Sequence, residues 1–209
     1  MNSLAHVTLE VDDPDAARRF YTAAFGLGPQ VRLRASTEPT SGFRGFTLSL
    51  DVPRPADVDS FTETALQAGA TQLKPPAKSL WGYGGIVQAP DGTIWQIVTS
   101  NKKNTGPATR TIDNVVLLLG VQDVKASKQF YTEQGLKAAK SFGGKYAEFA
   151  PQDTDAVSLA LYKRRGLAKL AGVSEEGTGS HRITLHGHAG DFTDPDAFRW
   201  DSAVTTASA

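Results

Sequence analysis

The first ten residues alternate in character. Val7, Leu9 and Val11 take one face of a strand, and His6, Thr8 and Glu10 take the other. At Asp13 the period changes. Asp13 offers an N-cap, Pro14 stands at the first helical position, and Asp15 suits the positive end of a helix. Ala16, Ala17, Phe20, Tyr21 and Ala24 then make a stripe at helical spacing, which Gly26 stops. QVRLRAS predicts the next strand, and TEPTSGFRG leads through Gly and Pro into the strand FTLSLDV. The pattern then restarts. Asp57 is expected to cap a helix with Val58, Phe61, Ala65 and Ala68 on one side, ended by Gly69. TQLKP, YGGIVQA and TIWQIV predict three short strands, with Asp91-Gly92 as the tight turn between the last two.

SNKKNTGPATR is polar, carries Gly106-Pro107, and reads as a linker over residues 101–110. Beyond it the chain repeats itself. DDPDAARRFYTAAFGL is echoed by QDVKASKQFYTEQGLK at an offset of 110 residues, and Pro, Asp and Trp of APDGTIWQIV recur in order in DPDAFRWDSA. A repeat this long means two copies of a domain, not a solenoid. NVVLLLGV, KAAKSF, KYAEFA, VSLALYK and HRITLHG predict strands, with a short helix in RRGLAKLAGV. The expected division is a first half over 1–100, a second half over 111–203 shortened near its end, and a flexible tail over 204–209.

Composition narrows the function classes. The 209 residues contain 22 Lys plus Arg against 22 Asp plus Glu, so no basic excess points to nucleic acid or an anionic membrane. There is no cysteine, which removes disulfides, thiolate nucleophiles and Cys-ligated zinc. No apolar run is long enough to span a membrane, and the opening MNSLAHVTLEV lacks a secretory pattern, so a cytoplasmic protein is expected.

HVTLEVDDPDAARRFYTAAFGL, APDGTIWQIV, QDVKASKQFYTEQGL and FTDPDAFRWD together resemble the vicinal oxygen chelate superfamily. That superfamily includes glyoxalase I, the bleomycin-resistance proteins and the extradiol dioxygenases. The resemblance covers residues 4 to 203 and implies an α+β fold of paired βαβββ modules, whose curled sheets enclose a cavity. It implies metal-ligand positions on the first, fourth, fifth and last strands. On this sequence these are His6 and Asn114, then Ala160, then Thr47 and His181, then Gln96 and Asp201. If each half closes on itself, the sets are His6, Thr47 and Gln96 against Asn114, His181 and Asp201. If the halves exchange, His6, His181 and Asp201 meet as two His and a carboxylate, a group suited to Fe, Mn, Ni or Zn. The other cavity then receives Thr47, Gln96, Asn114 and Ala160, which would hold no metal.

Several departures weaken the metal set. Asp201 is a methylene shorter than the Glu usual at that position, and Ala197 replaces the turn glycine. Both halves are short of strands, one between QVRLRAS and FTLSLDV and the other after HRITLHG, so exchange would put both shortened modules around the metal set. His186 and His188 lie on the opposite strand face from His181 and are left out of it. LWGYGG sets Trp81 and Tyr83 among glycines, either as an aromatic wall over a planar ligand or as a turn with core aromatics. The expected ligand-binding residues are thus Thr47, Trp81, Tyr83, Gln96 and Asn114. The expected function is metal-independent binding of a small planar or aromatic molecule. The alternative is a divalent-metal lyase or dioxygenase, and strand edges left by the shortened modules would favour a homodimer.

Overall fold

The computed structural model describes residues 3–150 and 156–203; the expected tail at 204–209 lies outside them. In chain order the described residues form β1 (Leu4–Val11), α1 (Pro14–Ala24), β2 (Val31–Ala35), β3 (Thr40–Gly42), β4 (Phe46–Asp51), α2 (Pro55–Gln67), β5 (Thr71–Ser79), β6 (Gly82–Gln88) and β7 (Ile94–Thr99). There follow β8 (Asn114–Val121), α3 (Val124–Glu133), β9 (Ala138–Phe142), β10 (Tyr146–Phe149), β11 (Ser158–Lys163), α4 (Arg164–Ala171), β12 (Gly177–Gly179), β13 (Ile183–Gly187), β14 (Phe192–Thr193) and β15 (Arg199–Ser202). No described helix is long and apolar enough to cross a membrane.

Two complete βαβββ modules make one eight-stranded sheet, ordered β5-β6-β7-β4-β8-β11-β10-β9. In each module the first strand pairs in parallel with the last, β4 with β7 and β8 with β11, and β4 joins β8 antiparallel. The second sheet, ordered β14-β15-β13-β1-β2, draws on both ends of the chain. β1 runs antiparallel to β13 with His6 opposite His186, and β13 runs parallel to β15 with His186 opposite Asp201. The opening strand of the first half therefore meets the closing strands of the second, which is the exchanged pairing. Sheet membership does not follow the 1–100 and 111–203 division, since β1 and β4 lie in different sheets. The missing strands are visible as well. Between β2 and β4 the chain forms only β3, which pairs off with β12, and between β13 and β15 only the two-residue β14.

Alternation along the strands builds the core. Val7, Leu9, Ile183, Leu185 and Trp200 of the short sheet join Leu48, Trp95, Leu117 and Leu161 of the long sheet in one buried cluster, with Phe20, Phe61 and Tyr131 from the helices. The two repeated motifs close on each other here. Tyr21 of α1 donates to Asp91 at 2.6 Å, and the indole N–H of Trp95 reaches the Tyr21 hydroxyl at 3.5 Å. Tyr131 of α3 donates to Asp194 at 2.6 Å, and Trp200 reaches Tyr131 at 3.3 Å. Burial, and then the facing carboxylate, pushes both tyrosine hydroxyls well above their ordinary range, so each stays a donor. The doubled motif is thus a clasp that fixes a helix to the turn and strand closing each half. Its second copy is strained: Ala197 has φ +68°, where Gly92 of the first copy has +88°. A β-carbon is disfavoured there. Ala197→Gly is expected to raise stability by about 0.5–1 kcal/mol in urea denaturation; a loss would show the turn to be unstrained.

The linker is tied down. Asp57, expected to cap α2, instead lies inside its first turn and is fully buried; the N-cap is Arg54, with no side-chain bond. Asp57 accepts from the backbone N–H groups of Thr109 at 2.6 Å and Arg110 at 2.7 Å, and pairs with Arg54 at 3.4 Å. The Arg110 guanidinium covers the Phe61 ring at 4.4 Å and donates to Ala24 O at 3.0 Å.

Candidate functional site

The side of the short sheet turned away from the core is polar throughout. Register places His6, Thr8 and Glu10 of β1 beside Thr184 and His186 of β13, Arg199 and Asp201 of β15, and Arg32 and Arg34 of β2. His6, His186 and Asp201 fall in one row. His181 does not join them. It lies before β13, where Arg182 has φ +56° and breaks the strand register. Its ring stacks on Phe198 at 4.0 Å, with Nδ1 2.6 Å from Arg44 O and Nε2 3.0 Å from Asp196 O. His186 takes the strand position assigned to His181. A signal for this was present: His181 shares parity with the core residues Ile183 and Leu185, and His186 does not.

The row does not fit a divalent ion as arranged. The His6 and His186 rings are stacked at 4.4 Å and 5°, so their nitrogens lie side by side and do not converge. The His186 Nε2 is 2.9 Å from Thr8 Oγ1, and Asp201 accepts from Arg199 at 2.8 Å. Three guanidiniums on the same face oppose a further, divalent cation. Among the described residues no three His, Asp or Glu side chains group as metal ligands.

The same surroundings hold the imidazoles neutral. Burial first, then Arg32 and His186, pulls the His6 pKa from 6.5 to about 4; burial, then the arginines, lowers His186 against the opposing pull of Asp201. The unfolded chain takes up a proton near 6.5 that folded His6 refuses until about 4. His6 therefore contributes stability above the unfolded pKa that is lost as pH falls through that window, at most about 3 kcal/mol. Urea midpoints measured at about pH 7.5 and about pH 4.5 should converge in His6→Gln relative to the parent; an unchanged gap would contradict this.

The long sheet presents a different face. Row by row, the counterpart of Asp201–His186–His6 is Gln96–Ser49–Val116, continued by Ser158, with no His or carboxylate. The first-strand position is thus Val116, not Asn114, and the fifth-strand position is Ser49, not Thr47. Over this face lies α4. Leu167, Ala168 and Ala171 pack with Phe43, Ile86, Ile94, Leu118 and Ala160. Arg164, Arg165, Gly166, Lys169 and Leu170 occupy its other positions, and Gly172 closes it in the left-handed conformation. Lys74 of β5 binds the carbonyls of Lys169 at 3.1 Å and Leu170 at 2.6 Å, which ties the helix end to the far module. Thr47 and Gln96 are buried and bonded to each other at 2.8 Å.

Beyond α4 the face carries a shelf. Phe142, Tyr146 and Tyr162 stand opposite one another on β9, β10 and β11. Their centroids are 5.9 Å and 5.0 Å apart, and Phe142 is 66% exposed. Tyr146 donates to Glu148 at 3.0 Å. Asn114 and Ser158 bond reciprocally at 2.9 and 3.1 Å beside Asp51, which pairs with Asn114 in register. Burial raises the Asp51 carboxyl, and Glu148 adds to the effect. Of the expected ligand-binding residues, Thr47, Gln96 and Asn114 lie on this face, the first two buried and Asn114 half-buried. Trp81 is 84% exposed at the β5–β6 turn, and Tyr83 turns to Asp59 of α2 at 2.7 Å. Two depressions of about 540 and 530 Å³ lie elsewhere, against α1 and α3, and contain none of the expected site residues.

No family model and no curated protein matches the sequence. Solved structures do. Glyoxalase I from Zea mays superposes with a TM-score of 0.63 at 17% identity, over 96% of this chain and 91% of that one. The chain has the vicinal oxygen chelate fold. A putative dioxygenase from Bacillus subtilis subsp. subtilis str. 168 shares the fold, with a TM-score of 0.54 at 11% identity over 93% of this chain and 71% of that one. Identities this low carry the fold and not the chemistry.

Proposed function

We propose that this vicinal oxygen chelate protein binds a small planar aromatic molecule on the shelf of the long sheet, without a divalent metal. The observation that carries the reading is the row of three rings, Phe142, Tyr146 and Tyr162, at the margin of α4: the two tyrosines are partly buried against the α4 cluster and Phe142 extends the row into the open. Rings in such a row offer π faces and edges to a flat ligand. Glu148, Asp51, Asn114 and Ser158 supply the polar contacts beside it. Two carboxylates on this face, with Lys140 near only Glu148 at 3.7 Å, favour a ligand carrying positive charge or N–H donors over an anionic one. A binding or sequestering role follows from this reading.

Proflavine, a planar aromatic cation, tests it by its visible absorbance, with benzoate as the anionic comparator. Saturable binding of proflavine is expected, weakened about tenfold by Phe142→Ala, since one stacking ring contributes roughly 1–3 kcal/mol. Phe142 is largely exposed, so its removal leaves the fold intact. Equal affinity in Phe142→Ala, or equal binding of benzoate, would overturn the assignment.

A further inference from the structure

The polar face of the short sheet has an unused donor set. It carries three guanidiniums, Arg32, Arg34 and Arg199, and two carboxylates, Glu10 and Asp201. Both carboxylates are engaged: Arg34 holds Glu10, which also accepts from Thr184 at 2.9 Å, and Arg199 holds Asp201 at 2.8 Å. Arg32 is left over, exposed, with no hydrogen bond or ion pair among the described residues. Its register partner is Thr8, whose hydroxyl lies 2.9 Å from His186, and its charge is felt by both stacked imidazoles. His6 is only 9% exposed, yet its ring nitrogens have no hydrogen-bond partner among the described residues. Those nitrogens are not sealed off, since neither is among the buried side-chain atoms left without a partner, and so an incoming ligand can reach them as solvent does.

The geometry points to an oxyanion site, for a carboxylate or phosphoryl group, between the Arg32 guanidinium and the edges of the stacked His6–His186 pair. An oxyanion would satisfy the left-over charge and accept from an imidazole N–H. A divalent cation would meet the arginines instead. The site lies on the other sheet from the aromatic shelf and does not depend on it.

The test is a titration of the full chain with inorganic phosphate at constant ionic strength, read by imidazole NMR of its four histidines, and repeated with acetate. The His6 and His186 resonances are expected to move saturably, while those of His181 and His188 stay. Arg32→Gln, an exposed substitution, should weaken the response about tenfold, as expected for a charge-assisted contact. Response to phosphate alone assigns a phosphoryl ligand; response to acetate assigns a carboxylate. No movement up to about 100 mM of either anion, affinity unchanged in Arg32→Gln, or equal movement of all four histidines would overturn the site. So would a response to Zn²⁺ with none to either anion.

Discussion

Asp57→Ala should cost about 3 kcal/mol in urea denaturation, as the loss of one partner from a buried ion pair does. Four groups lose their partner at once, the Thr109 hydroxyl at 3.2 Å among them. The others are the Thr109 and Arg110 backbone N–H groups and the Arg54 guanidinium. The N–H groups lie near the surface, where water can replace part of the loss, so the cost falls at the low end of that range. Asp57→Asn separates the contributions. An amide oxygen keeps both backbone bonds, but the amide NH2 then faces the Arg54 donor where a carboxylate oxygen stood, so a smaller loss of about 1–2 kcal/mol is expected. A loss below about 1 kcal/mol for Asp57→Ala would show that residues 101–110 are a free tether.

Leu167→Ala is expected to cost a similar amount, about 3 kcal/mol, within the range for buried leucines. Leu167 is fully buried under α4, against Phe43, Ile94 and Leu118. The helix presents mainly alanines to the sheet, and Gly120 lets its start approach closely: a β-carbon there would come within 3.2 Å of Arg164 Cα. The neighbours therefore have little freedom to collapse into the void. Leu170 on the same helix is 38% exposed, and Leu170→Ala should cost less than about 1 kcal/mol. Equal effects at the two positions would mean that α4 does not fill the sheet face. The consequence for function is direct. With α4 in place, Thr47 and Gln96 are covered, and the ligand-accessible part of the face is the shelf beyond it.

Much of the architecture was legible. Phe20-Tyr21-Thr22 recurring at Phe130-Tyr131-Thr132 announced two domain copies, and the missing strands after QVRLRAS and after HRITLHG marked the two short modules, but which modules share a sheet stayed open until strand pairing decided it. The Tyr–Asp–Trp clasp explains why these particular residues recur. The site was less legible, for three physical reasons. Arg182 in the left-handed region leaves His181 outside β13, so a ligand position carried to His181 falls off the strand. An amphipathic helix such as RRGLAKLAGV declares an apolar stripe but not the surface it will cover. Phe142 and Tyr146 face each other across the β9–β10 hairpin, but Tyr162 joins them only through the pairing of β10 with β11, which no local pattern encodes.

The most direct measurement is a proflavine titration of chelator-treated protein, followed by addition of Fe, Mn, Ni or Zn to the same sample. Saturable binding in the chelated protein, unchanged by any of the ions and abolished in a Phe142→Ala, Tyr146→Ala double variant, is the predicted result. Binding that appears only after a divalent ion is added, and that disappears in His6→Ala or His186→Ala, would contradict it and place the ligand on the short sheet.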